Sequence, residues 1–179
     1  MDLGRTEIEI LFSIPVRPQS PGPVQGVDTA FAPRRDWRTM TLGKTKFETV
    51  LQVRPDDIDM NQHVHSSRYQ DYVLAARYDQ MARCYKMSME EFIKAGLGWF
   101  VKAAHLEYKR ALVMGDTFVV RTWVEDIQRT EVKVRFEILR QSGERLKAAC
   151  EGWFDYTMVS LATGRAETIP DWIVAKYAV

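Results

Sequence analysis

Cysteine is nearly absent from this sequence, with two in 179 residues, Cys84 and Cys150, far apart in the chain. That rules against a disulfide-stapled scaffold, and both thiols are expected to be buried and free in a reducing compartment. An excess of either charge is missing too. The 25 Lys and Arg balance 24 Asp and Glu to a net charge of +1, which leaves no basic stripe for nucleic acid. No apolar run approaches the roughly 18 residues of a membrane span. Asp2, Glu7 and Glu9 precede a short apolar patch, unlike a signal or transit peptide, so a cytoplasmic location is expected. There is no G-x-S-x-G, no Gly-rich phosphate loop, and neither cysteine has an evident triad setting. What the chain does have is apolar content, 46 %, enough for a substantial core.

Taken in order, residues 1–43 are the least regular. Ile8 to Val16 could form a short strand, and RPQSPGPVQG reads as a flexible or polyproline-like connector, so 1–43 is expected as an N-terminal extension ahead of one domain over 44–179. KFETVLQV reads as a strand closed at Arg54-Pro55, because proline cannot donate to a sheet ladder. Ser67 to about Lys86 has the clearest helical period. Tyr69, Tyr72, Val73 and Ala76 share one stripe, which Leu74, Tyr78, Met81 and Tyr85 broaden past half the circumference, predicting a helix buried on most of its surface. Ser88 followed by Glu91 has the form of a capping box for a second, short helix ending at Gly96. After Gly98 the period shifts to two. Strands are expected over Trp99–Arg110, Thr117–Ile127, a segment with Val132, Val134, Phe136 and Ile138 facing inward, and Arg145–Leu161. On the last, Ala148, Cys150, Gly152, Phe154, Tyr156 and Met158 should share a face. Pro170–Tyr177 reads as a short closing helix or tail. The order gives an α+β fold, a meander of antiparallel strands with one long helix laid against it.

Chemistry concentrates in PDDIDMNQHVHSSRYQDYVLAAR, residues 55–77, which holds two of the three histidines. Asp59 could act as nucleophile or general base toward a carbonyl, although loop aspartates also cap backbone N–H groups. His63 could be its acid/base partner, and the Asn61 amide could orient water or a carbonyl. If the loop is extended, alternate residues 59, 61 and 63 project to one side. The helix starting near Ser66 or Ser67, either of which could be its N-cap, adds unpaired N–H groups suited to an oxyanion. A metal set of His63, His65, Asp57 and Asp59, with His105 as a third nitrogen ligand, can be drawn, but its groups crowd into one turn. No metal or cofactor is expected.

Asp59-Met-Asn-Gln-His-Val-His-Ser-Ser-Arg-Tyr69, leading into a Tyr/Ala/Arg helix, resembles the active-site signature of hotdog-fold thioesterases. DIDMNQHV is most similar to the acyl-acyl-carrier-protein thioesterases, and D-x-D-x-x-G-H-V-N-N-x-x-Y is the pattern of the 4-hydroxybenzoyl-CoA thioesterase-like group. The resemblance covers roughly Phe47 to Leu161. It implies a single hotdog unit, with an antiparallel sheet wrapped around one long central helix, assembling as a homodimer or homotetramer with active sites at the dimer interface. It implies Asp59 as the catalytic carboxylate, Asn61 and His63 as its partners, and His65, Ser66, Ser67 and Tyr69 as substrate-binding positions at the helix start. Gln62 replaces the group's usual Gly, His65-Ser66 replaces Asn-Asn, and Ala111 stands where the carrier-protein enzymes carry a catalytic Glu, with Glu107 nearby. The implied activity is hydrolysis of an acyl-CoA or acyl-carrier-protein thioester. The alternatives are a non-catalytic acyl-CoA or lipid-binding module, or hydration and dehydration of an acyl thioester.

Overall fold

A computed structural model describes residues 44–179. The expected strand at Ile8–Val16, the connector and the rest of the 1–43 extension lie outside the described residues. Phe47–Gln52 forms β1, alternating half-buried and exposed residues as its sequence suggests. A 3-10 turn over Pro55–Asp57 and a polar loop lead into α1, Arg68–Arg83, followed by α2, Met89–Lys94. Then come β2 (Leu97–Tyr108), β3 (Thr117–Ile127), β4 (Glu131–Ser142), β5 (Arg145–Ser160) and α3 (Asp171–Tyr177).

The sheet is antiparallel, with strand order β1-β3-β4-β5-β2. This corrects the simple meander. β3, β4 and β5 do follow one another, but β1 already occupies the other edge of β3, so β2 lies at the far side of the sheet against β5. A second correction concerns β5. Its register slips where Ile138 faces Cys150 and Leu139 faces Ala148. Ala149 is the extra residue of that bulge, and Ala149 and Cys150 are both fully buried while Ala148 is not. Gly152 sits where β5 and β2 come closest: a Cβ there would fall 1.9 Å from the His105 carbonyl oxygen.

α1 is pinned to the sheet from within. The fully buried Gln80 amide donates to the carbonyls of Phe47 and Val120 and to the Thr49 hydroxyl, and accepts from Thr122. The buried stripe of α1 is narrower than its periodicity suggests. Tyr69, Tyr72, Val73, Ala76 and Met81 are in the core, but Leu74 and Tyr78 are 37 % and 49 % exposed. One half of the core gathers Tyr72, Val73, Phe118, Phe136 and Phe154 beneath the start of α1. The other gathers Met81, Tyr85, Phe92, Met158 and Ile173 where α2 and α3 close over its end. Ser88 and Glu91 make the expected capping box. Cys150 is buried, which pushes its thiol up to about 12, and Cys84 is half-buried; both are free.

Candidate active site

The loop between β1 and α1 is built on a tight reversal. Ile58 and Val64 bridge antiparallel, the Asp59 amide donates to the His63 carbonyl at 2.8 Å, and the Gln62 amide donates to the Asp59 carbonyl at 3.1 Å. Gln62 closes the turn at a φ of +63°, the conformation in which glycine is at ease and other residues are strained. The Asp59 carboxylate accepts the Asn61 amide at 2.8 Å. It therefore has the local turn bond that loop aspartates commonly make, and it also faces a pocket.

That pocket, about 350 Å³, is lined by Asp59, His63, His65, Ser66 and Tyr69 from the loop and helix start, and by Tyr108 to Ala111 at and beyond the end of β2. Five of the seven residues expected at the site thus meet in one concavity. Asn61 and Ser67 are exposed and outside this lining. Ser67 occupies the N-cap position of α1, but its hydroxyl makes no backbone cap; it lies 2.9 Å from His65 Nδ1 instead. Tyr69 is buried, and its hydroxyl accepts the Leu112 amide at 3.0 Å. Tyr108 packs edge-on against Tyr69 and donates to the Ser66 carbonyl at 3.0 Å.

The amides expected to polarise a carbonyl near His65 and Ser66 are not equivalent. The His65 N–H is taken by the Asp57 carbonyl at 2.9 Å. The Ser66 N–H has no hydrogen-bond partner among the described residues, and Ser66 lines the pocket. It is a free donor at the start of a 16-residue helix, where the helix dipole favours negative charge.

Sequence reasoning missed Asp57 as the residue that holds this loop in place. Its carboxylate is 1 % exposed and accepts Tyr72 Oη at 2.7 Å, Arg54 Nη2 at 3.2 Å and the Arg54 amide at 3.2 Å, with Arg68 Nε 3.6 Å away. Burial alone would raise its pKa, but the bonds from Arg54 and Tyr72 outweigh burial and hold it below the usual carboxylate value. Burial, helped by the same contact with Asp57, pushes the Tyr72 hydroxyl well above its ordinary value. No local signal separates Asp57 from Asp56 or Asp59, because its partner Tyr72 is fixed only by folding.

The metal set drawn from the sequence does not form. Asp57 is enclosed by arginines and a tyrosine, His105 stacks on Trp153 away from the loop, and no group of three or more His, Cys, Asp or Glu side chains is arranged to hold a metal ion among the described residues. Glu107 does not line the same pocket as Ala111. Ala111 lines the loop pocket, whereas Glu107 pairs with Lys109 and His105 beside Trp153 and Glu151, in a different concavity.

A five-stranded antiparallel sheet in this order, with a long helix against it, is the hotdog arrangement. The family model described as the thioesterase-like superfamily matches residues 53–177, and the chain belongs to that superfamily. Among solved structures, the chain is similar to the DHNA-CoA thioesterase of Staphylococcus aureus, at 21 % identity and a TM-score of 0.68 over 74 % of this chain and 89 % of that one. It is similar to a second Staphylococcus aureus protein, solved in complex with CoA, at 19 % identity and 0.67 over 75 % and 83 %. A 1,4-dihydroxy-2-naphthoyl-CoA thioesterase from Synechocystis follows at 16 % and 0.64 over 74 % and 96 %. At these identities the structural likeness establishes the fold. No curated protein matches the chain. No helix among the described residues is long and apolar enough to cross a membrane.

Proposed function

We propose that residues 44–179 form a catalytic domain that hydrolyses an acyl thioester of CoA or acyl-carrier protein to a free acid and a thiol, with 1–43 as an extension of it. The observation that carries this reading is the unpaired Ser66 N–H in the same pocket as the Asp59 carboxylate. The thioester carbonyl oxygen lies against Ser66 N–H, which with the helix start stabilises the negative charge that builds there on attack. Asp59 either takes a proton from the attacking water or itself attacks the carbonyl carbon, forming an anhydride that water then opens. In either route the carbon–sulfur bond breaks, the electron pair leaves with sulfur, and the thiolate is protonated. His63 serves as the proton carrier, and the Asn61 amide holds Asp59 in orientation through its backbone bond. Arg110, which lines the pocket, supplies positive charge for the phosphate of the thiol carrier.

The site is proposed to work in a homodimer or homotetramer. β2 supports this, because it is a 12-residue edge strand with Phe100 and Tyr108 63 % and 52 % exposed, and long edges invite pairing. The test is thiol release from a panel of acyl-CoA and acyl-carrier-protein thioesters. Asp59→Ala should lower turnover about 10²–10⁴-fold on every active substrate while the melting curve is unchanged. Turnover near wild type in that variant would remove Asp59 from the mechanism. Tight binding with no thiol released from any substrate would replace hydrolysis by a binding role.

A further inference from the structure

The later half of α1 buries a charge that the proposed reaction leaves idle. Arg77 is 7 % exposed. Its Nη1 donates to the Thr122 hydroxyl at 3.3 Å, and its guanidinium stands 5.1 Å from the centre of the Tyr85 ring. No carboxylate pairs with it among the described residues. Withdrawing a guanidinium from water without an anion is unfavourable, and its forked donors match a carboxylate.

Arg77 borders an apolar pocket of about 150 Å³ whose walls include Leu74, Met89, Trp99, Tyr156 and Tyr177. It shares no lining residue with the loop pocket. A second observation falls in the same place. Tyr177, brought in by α3, is 3 % exposed, and its hydroxyl has no hydrogen-bond partner among the described residues. Burial pushes the Tyr156 and Tyr177 hydroxyls above the ordinary tyrosine value, and the Arg77 charge, which reaches both, offsets part of that effect. Arg77, without a carboxylate partner, and Tyr177, whose occluded hydroxyl is unsatisfied, therefore both line one apolar cavity. Leu74 and Tyr78 at the helix surface form its mouth, and Tyr78 donates to the exposed Glu90, the acid at the rim, at 2.6 Å.

We propose that this pocket binds a small apolar carboxylate, whose oxygens take the Arg77 guanidinium and the Tyr177 hydroxyl while its hydrocarbon body fills the apolar walls. A dry cavity of about 150 Å³ holds one benzene-sized ring, so the ligand is an aryl acid of one ring or an alkyl acid of about six carbons. The site stands apart from the proposed hydrolysis and does not depend on it.

Calorimetric titration of the full chain with benzoate and hexanoate, against benzyl alcohol and hexan-1-ol, tests this. The acids should bind at least about tenfold tighter than the alcohols. Tyr177→Phe should weaken the acids about tenfold and leave the alcohols unchanged, Arg77→Gln should abolish the preference for acids, and Asp59→Ala should alter neither. Equal affinity for acids and alcohols, no binding of either acid, or unchanged acid affinity in Tyr177→Phe would overturn the proposal. So would loss of acid binding in Asp59→Ala, which would place the ligand in the loop pocket. If Arg77→Gln does not fold, Tyr177→Phe, which removes one oxygen and breaks no hydrogen bond, decides the matter.

Discussion

The two halves of α1 each bury a charged group, and the protein treats them differently. At the start of the helix Asp57 is enclosed by Arg54, Arg68 and Tyr72, with its carboxylate oxygens engaged by donors from the 3-10 turn and the helix. Toward the end, Arg77 has one hydroxyl and an aromatic face, and the tyrosine hydroxyl beside its pocket has no partner. Asp57 spends its charge inside the fold and shapes the loop, whereas Arg77 keeps most of its donors unspent. A satisfied buried ion is architecture, and an unsatisfied one facing a cavity is capacity for a ligand.

The largest expected effect in stability follows from the first half. Asp57→Ala should destabilise by about 3 kcal/mol, because it strips the Tyr72 hydroxyl of its partner inside the core. Chemical denaturation should show this as a lower midpoint with unchanged slope, and a shift under about 1 kcal/mol would break the contrast drawn here. The same chemical change at the two ends gives a sharper comparison. Tyr72→Phe deletes a bond to a buried carboxylate and should cost about 1.5–3 kcal/mol, whereas Tyr177→Phe deletes an unpartnered oxygen and should fall within about 0.5 kcal/mol of wild type. Equal losses in the two variants would mean that Tyr177 has a partner after all.

The smallest effect is in acid. The Asp57 pKa lies below its usual 3.8 in the folded chain, so its contribution to stability is complete above that value and is lost as pH falls through the lower folded one. Acid titration of stability should therefore fall more steeply below pH of about 4 in wild type than in Asp57→Asn. Parallel curves would remove Asp57 from the acid response.

What could be read from the sequence was mostly local. The inward side of β4 follows from alternation of Val132, Val134, Phe136 and Ile138 with charged residues, and the α2 cap from Ser88 and Glu91 three residues apart. Asp59, His63 and His65 stood out because polar groups crowd the entry to a helix, and Ser66 and Tyr69 were expected at the site through the resemblance to hotdog thioesterases. What depended on distant partners was not legible. The place of β2 beside β5, the bulge at Ala149, and the burial of Asp57 but not Asp59 are set by packing between segments far apart in the chain. The exposed Leu74 and Tyr78 lie on the periodic stripe of α1, and periodicity marks a face without saying whether this chain alone covers it.

The strand order has a consequence for how the molecule is made. β3, β4 and β5 join through short turns, so their ladders close at little entropic cost, while β1 must reach β3 across both α1 and β2, and β2 must cross to β5. Both walls of the loop pocket hang from those late edges: Asp59 to Tyr69 follow β1, and Tyr108 to Ala111 end and follow β2. In refolding, pulse-labelled hydrogen exchange should find β4 amides protected before thiol release returns, and simultaneous recovery would refute that order. The newly made chain would then pass through a sheeted state in which the two walls of the loop pocket are still apart, completing that pocket only with the last docking steps.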